Sequence, residues 1–202
     1  PGRVVSLLQT GSGSDQVIWA TTVGRGLAAL RNGRWRFHGR EQGLPDDSYF
    51  GMTLLPDAGG RPVLWLGSQS NGVVRVDITN PERPLLVTEP VLPAAPNPYT
   101  SGVVRDGAGD LVLCTDYGAA RWQPLPDGRF DVLRFQRTDG LPHDECNAGA
   151  LHVDAKGRVW AGTIGGAAVY LPRTPSQRPL TPPLVIERLA AEVTVLDDAL
   201  RA

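Results

Sequence analysis

Four short stretches of this chain repeat one another at a spacing of about 47 residues, and a period of that size confines a sequence to few architectures. They are Trp19-Ala20-Thr21-Thr22, Trp65-Leu66-Gly67-Ser68, Val112-Leu113-Cys114-Thr115 and Trp160-Ala161-Gly162-Thr163. Repeats of about 40 to 50 residues build either propeller blades or stacked helical pairs. Punctuation excludes the helices: Gly 24 and Pro 18 in 202 residues interrupt every unit at intervals too short for one. The chain therefore reads as all-β, a β-propeller of four consecutive four-stranded blades, either a fragment of a larger propeller or a small ring.

Each repeat has the same grammar. An apolar or alternating run opens it: Val4 to Leu8, Gly51 to Leu55, Val103-Val104 and Ala148 to Val153. A tight turn follows, written Asp57-Ala58-Gly59-Gly60, Asp106-Gly107-Ala108-Gly109 and Asp154-Ala155-Lys156-Gly157. Asp bonds the backbone two residues on and Gly supplies a positive φ, so these are hairpins with a mechanism. The Trp-led strand comes next, then third strands from Gly26, Gly72, Gly118 and Gly166. Fourth strands read as Arg34 to Phe37, Leu85 to Thr88 and Phe130 to Phe135. The blades so defined span about 1–46, 47–97, 98–144 and 145–171. A blade cannot bury its faces alone, so Trp19, Trp65 and Trp160 are expected as structural anchors between blades.

Residues 172–183 are a Pro-rich linker, and 184–202 read as an outer strand or the start of a β-sandwich domain. Net charge is −1, which offers no field for nucleic acid. Membrane contact is expected only through a missing downstream region. No apolar run reaches the roughly 20 residues that cross a bilayer, and Pro1-Gly2-Arg3 is not a signal peptide. The absence of an initiator Met suggests a piece of a longer protein. Cys114 reads as a buried small hydrophobe. Its pairing with Cys146 is the less favoured reading, because the two fall on different strands of neighbouring blades.

The residues also carry a resemblance. Gly140-Leu141-Pro142-His143-Asp144-Glu145-Cys146-Asn147 leads into Asp154-Ala155-Lys156-Gly157-Arg158-Val159-Trp160-Ala161-Gly162-Thr163, and Gly43-Leu44-Pro45-Asp46-Asp47-Ser48-Tyr49 leads into Asp57 to Ser68. This pattern resembles the two-component regulator propeller repeat over about residues 4–171. The third repeat departs from it, with Val112 in place of Trp and no Gly-Leu-Pro before it. Pro182-Pro183-Leu184-Val185-Ile186-Glu187-Arg188-Leu189 is similar to the opening of the triple-tyrosine β-sandwich that follows such propellers. The resemblance implies a periplasmic or extracytoplasmic sensor region of an inner-membrane protein. Its output would be a downstream histidine kinase, diguanylate cyclase or response regulator, and several relatives sense carbohydrate.

Chemistry-bearing motifs are sparse. The chain has no Cys-x-x-Cys, no phosphate-cradling loop and no Gly-x-Ser-x-Gly elbow, so no cofactor, no metal site and no catalytic residue is expected in this segment. His38 reads as solvated and His152 as a structural or surface residue. The candidate ligand-binding residues are Asp46, Asp47, Tyr49, Tyr99, His143, Asp144 and Glu145, with Phe50 beside them, on loops that enter inner strands. Such loops converge on one mouth of a propeller channel, where aromatic rings can stack on a sugar. The same polar residues also fit turns that simply face water. The leading reading is a non-enzymatic sensor module with a small carbohydrate ligand. The alternatives are a propeller-based lyase or glycosidase, against which the unbroken period argues, and a protein–protein scaffold. Open blade faces are expected to drive self-association.

Overall fold

A computed structural model describes residues 2–172 except Ala58 and Pro90. The chain divides into a unit of residues 1–172 and a separate unit of residues 173–202. The expected linker and the 184–202 element lie outside the described residues, apart from Pro172.

The first unit is all-β. Blade 1 contains β1 (Arg3–Thr10), β2 (Val17–Val23), β3 (Leu27–Arg31) and β4 (Arg34–His38). Blade 2 contains β5 (Tyr49–Pro56), β6 (Pro62–Ser68), β7 (Val73–Asp77) and β8 (Leu85–Val87). Blade 3 contains β9 (Thr100–Arg105), β10 (Leu111–Thr115), β11 (Gly118–Pro124) and β12 (Phe130–Phe135). Blade 4 has β13 (Cys146–Val153), β14 (Val159–Thr163) and β15 (Gly166–Tyr170) among the described residues. Each sheet is an antiparallel meander in chain order, and the four stand around an axis lined by β1, β5, β9 and β13, the arrangement of a four-blade propeller.

The Asp-Gly hairpins form by the expected bonds. Asp57 Oδ1 accepts the Gly59 and Arg61 N–H groups at 2.9 Å, and Asp106 Oδ1 accepts those of Ala108 and Asp110 at 2.9 Å. Asp154 Oδ1 accepts those of Lys156 and Arg158 at 2.9 and 3.0 Å. A second device closes the next hairpin of the blade. The hydroxyls of Thr22, Thr115 and Thr163 donate to the carbonyls of Gly26, Gly118 and Gly166 at 2.8, 2.7 and 2.8 Å. Near the axis the backbones crowd: a Cβ on Gly51 would lie 2.8 Å from the Gly102 Cα of the next inner strand, so a side chain there would force the blades apart.

Register decides which face of each sheet meets its neighbour. Trp19 pairs with Leu8 and Ala29, and this row packs on Leu64, Leu66, Val74 and Val76 of blade 2. Trp65 and Val73 of blade 2 pack in turn on Leu111, Leu113 and Trp122 of blade 3. The third seam joins Cys114 and Ala119 to Ala161 and Leu151. Trp19 is fully buried, its indole N–H donating to Thr10 Oγ1 at 2.9 Å. Trp65 is half-buried, edge-on to Phe130 with ring centroids 6.5 Å apart.

Two expectations are corrected. Trp160 is 39% exposed. Its row, with His152 and Val169, lies on the face of blade 4 opposite Ala161, and no further blade follows among the described residues. His38, expected in solvent, is only 6% exposed. It ends β4, and among the described residues its Nε2 has no hydrogen-bond partner. Burial, with help from Arg36, lowers its pKa below the ordinary 6.5, while Glu82 acts weakly the other way.

Trp19→Ala should cost about 3–5 kcal/mol in urea unfolding at dilute concentration, and Trp160→Ala well under half of that. The fold holds His38 neutral, so its stabilising contribution is complete above the unfolded pKa of about 6.5 and declines as pH falls below that. His38→Gln should flatten the stability profile between pH 7 and 5.5 in the same assay.

Candidate functional site

One end of the propeller is built by a backbone latch repeated at each seam. The hairpin between the second and third strands of one blade donates a glycine N–H to a carbonyl just ahead of the next inner strand. The pairs are Gly26 to Asp47, Gly72 to Pro98 and Gly118 to Asp144, each at 2.7 Å. The loops entering the inner strands are thereby gathered at one mouth, as the sequence reading expected.

Two of these loops share one construction. Single 3-10 turns at Arg40–Gln42 and Arg137–Asp139 end at Gly43 and Gly140, whose φ values of 91° and 104° demand glycine. Asp47 Oδ1 accepts the Arg40 N–H and Asp144 Oδ1 the Arg137 N–H, both at 2.8 Å. Between them, Leu44 and Leu141 pack into the seams.

This bonding sorts the sequence-derived candidates. Asp46 is buried. Its carboxylate accepts the N–H groups of Asp47 and Ser70, both at 2.9 Å, and the Asn71 side-chain amide at 3.3 Å. The Asp46 N–H donates to Tyr49 Oη at 3.1 Å, and burial pushes the fully enclosed Tyr49 phenol above its ordinary range. Asp46, Asp47, Tyr49 and Asp144 thus hold the loops together. His143 Nδ1 accepts the Glu145 N–H at 3.0 Å and orders its own turn.

Tyr99 and Glu145 are differently placed. Tyr99 lies against Phe50 of the preceding inner strand, with ring centroids 4.7 Å apart. Its phenol is raised by burial and then by Asp116, with Arg3 acting oppositely and Glu145 adding a smaller push. Asp116 itself is raised by partial burial and by Glu145. The cluster draws on all four blades: Arg3 from β1, Phe50 from β5, Tyr99 and Asp116 from blade 3, and Glu145 ahead of β13; the exposed Tyr117 follows Asp116 in the chain. Asp116, Tyr117 and Arg3 escaped the sequence reading. The available signal was that the hairpin after the third repeat carries Asp116-Tyr117, where the fourth carries Ile164-Gly165.

Cys114 and Cys146 form a disulfide with Cα atoms 5.8 Å apart, which corrects the reading of Cys114 as a free buried hydrophobe. Lying on neighbouring blades is what permits the bond, because the third seam packs the end of β10 against the start of β13. Cys114 is two residues from Asp116 and Cys146 is adjacent to Glu145, so the bond ties the two acidic segments together. Among the described residues, no group of three or more His, Cys, Asp or Glu side chains is arranged to hold a metal. Two open cavities of ≈ 430 and ≈ 510 Å³ lie elsewhere, along β4 and the Glu82 loop at the outer edge between blades 1 and 2. The mouth is the better candidate, because it gathers residues from every blade. Chemically it offers two carboxylate acceptors beside aromatic planes, suited to holding hydroxyl or ammonium donors.

The fold is shared with known structures. The chain aligns with the extracellular domain of BT3049 from B. thetaiotaomicron, described as a hybrid two component system, at TM-score 0.61 and 16% identity, covering 84% of this chain and 22% of that one. It aligns with the extracellular domain of BT4673 from the same organism, described as a one component system, at TM-score 0.57 and 20% identity, covering 85% and 22%. The chain thus spans about a fifth of the length of these proteins. A streptogramin B lyase follows at TM-score 0.49 and 16% identity, covering 85% and 55%, a likeness too loose to carry an argument. Compared with protein families and with curated proteins, the sequence matches none.

Replacing Cys114 and Cys146 together by Ser removes a cross-link across 32 residues. It should cost about 3–4 kcal/mol in urea unfolding by the loop-entropy estimate. Intact-mass measurement before and after reduction and alkylation should show both cysteines protected in the native protein.

Proposed function

We propose that this chain is the ligand-sensing propeller module of a membrane-bound signal-transduction receptor and has no catalytic role of its own. The observation that carries the reading is the convergence of Arg3, Phe50, Tyr99, Asp116 and Glu145, drawn from all four blades, on one mouth. A site assembled from every blade responds to any change in how the blades sit, which a sensor requires. The fold shared with extracellular domains of sensor systems supports the same reading. The disulfide supports an extracytoplasmic location, since such bonds persist in oxidising compartments. Among the described residues no helix is long and apolar enough to cross a membrane.

The ligand we assign is a small carbohydrate or oligosaccharide. Tyr99 offers a plane for a sugar face, while Asp116 and Glu145 accept hydrogen bonds from its hydroxyls. A carboxyl whose ionised form the fold disfavours stores a small instability, which hydrogen bonds from a ligand relieve.

Calorimetric titration against a panel of neutral oligosaccharides should reveal a saturable binder, with no change in the sugar by mass spectrometry. Asp116→Asn and Tyr99→Ala should each weaken that binder at least about tenfold, Asp116→Asn without lowering the melting temperature. Product formation that is lost in Asp116→Asn or Glu145→Gln would replace the sensor with an enzyme. Failure of the whole panel to bind would remove the carbohydrate assignment.

A further inference from the structure

The two outward faces of the propeller are the two halves of a seam. At the first two seams, a row led by the second-strand anchor, Trp19 or Trp65, meets an apolar face of the next blade. Blade 4 presents the first half unoccupied: Trp160 and Val169 are about two-fifths exposed, and Leu171 is exposed beside them. Trp160 is held as Trp19 is. Its indole N–H donates to Asp154 Oδ2 at 3.0 Å, as that of Trp19 donates to Thr10, and the Arg158 guanidinium lies 5.4 Å from the ring. An aromatic anchor already fixed in place loses little freedom on docking.

Blade 1 presents the second half. On its face away from blade 2, register aligns Leu7, Ala20, Ala28 and Phe37 in one row and Ile18, Leu30 and Trp35 in the next. Leu7 is 64% exposed and Trp35 48%. Within one chain, blades 1 and 4 approach near the axis, where a Cβ on Gly149 would lie 3.2 Å from Val5 Cγ1. Farther out, Trp160 remains 39% exposed. The backbone latch agrees: Gly166 stands where Gly26, Gly72 and Gly118 stand, with no succeeding blade among the described residues to receive its N–H.

We infer that the blade 4 face is an interaction surface for a second copy of this chain, seating the Trp160 row on the Leu7–Trp35 face of the partner's blade 1. The occupant is a second copy because the chain itself carries the apolar rows that a seam requires, with Leu7 and Trp35 exposed at their margins and Ala20 and Ala28 buried between them. The contact is heterologous, each copy giving one face and receiving on the other.

Sedimentation equilibrium of the full chain across about 1–100 µM tests this, using Trp160→Glu, Leu7→Glu and the conservative Trp160→Phe. Self-association should be present in the parent, be weakened at least about tenfold by either Glu variant and be retained by Trp160→Phe. Circular dichroism should show each variant folded. Mixing the two Glu variants should restore a one-to-one complex, since the mixture still contains one intact copy of each face. A parent that stays monomeric throughout the range overturns the inference and hands the face to another segment of the polypeptide. Association that survives Leu7→Glu overturns the head-to-tail contact in favour of like faces meeting.

Discussion

The seam between blades is the interaction on which everything else here depends. A four-stranded meander has two apolar faces and cannot bury either by itself, so each blade is stable only as its neighbours cover it. Three seams in this chain do so: Trp19 and Trp65 meet the next blade's second and third strands, and Cys114 meets the first and second strands of blade 4. Glycines such as Gly51 let inner strands approach to backbone contact near the axis, and the apolar rows widen the wedge outward.

The mouth is a by-product of that stacking. Its loops are placed by latches from the preceding blade, and their polar side chains divide into two populations. Asp46, Asp47 and Asp144 satisfy backbone N–H groups that would otherwise be left without partners. Asp116 is placed differently: partial burial, and then the nearby Glu145 charge, disfavour its ionised form. The disulfide ties together the two segments that carry Asp116 and Glu145.

The architecture was legible in the sequence because its signals are local. An Asp followed by Gly closes a hairpin by the same two bonds in three blades, and the Trp-led strand recurs in phase. What was illegible depends on which blade meets which. Trp160 carries the same motif as Trp19, yet only the presence of a following sheet decides whether such a ring is buried. Cys114 and Cys146 gave no local sign of pairing, since the seam that joins them forms between distant segments. For the proposed site, residue type pointed to the loops that enter the inner strands but not to the hairpin that carries Asp116. Asp47 and Asp144 look like ligand groups in sequence and are turn locks in the fold, while Asp116 lay on a hairpin that the Gly-Leu-Pro pattern does not mark.

The latch joining the blades uses main-chain atoms on both sides. Pro98 makes the consequence visible: it stands where two other blades have aspartate and accepts its bond at the same 2.7 Å. The latch bond is therefore indifferent to side-chain identity at these positions, although the Asp47 and Asp144 carboxylates also brace the turns before them. The rim can change its chemistry from one descendant to another while the scaffold beneath keeps its grip, leaving recognition free to drift and the barrel of blades unaware of it.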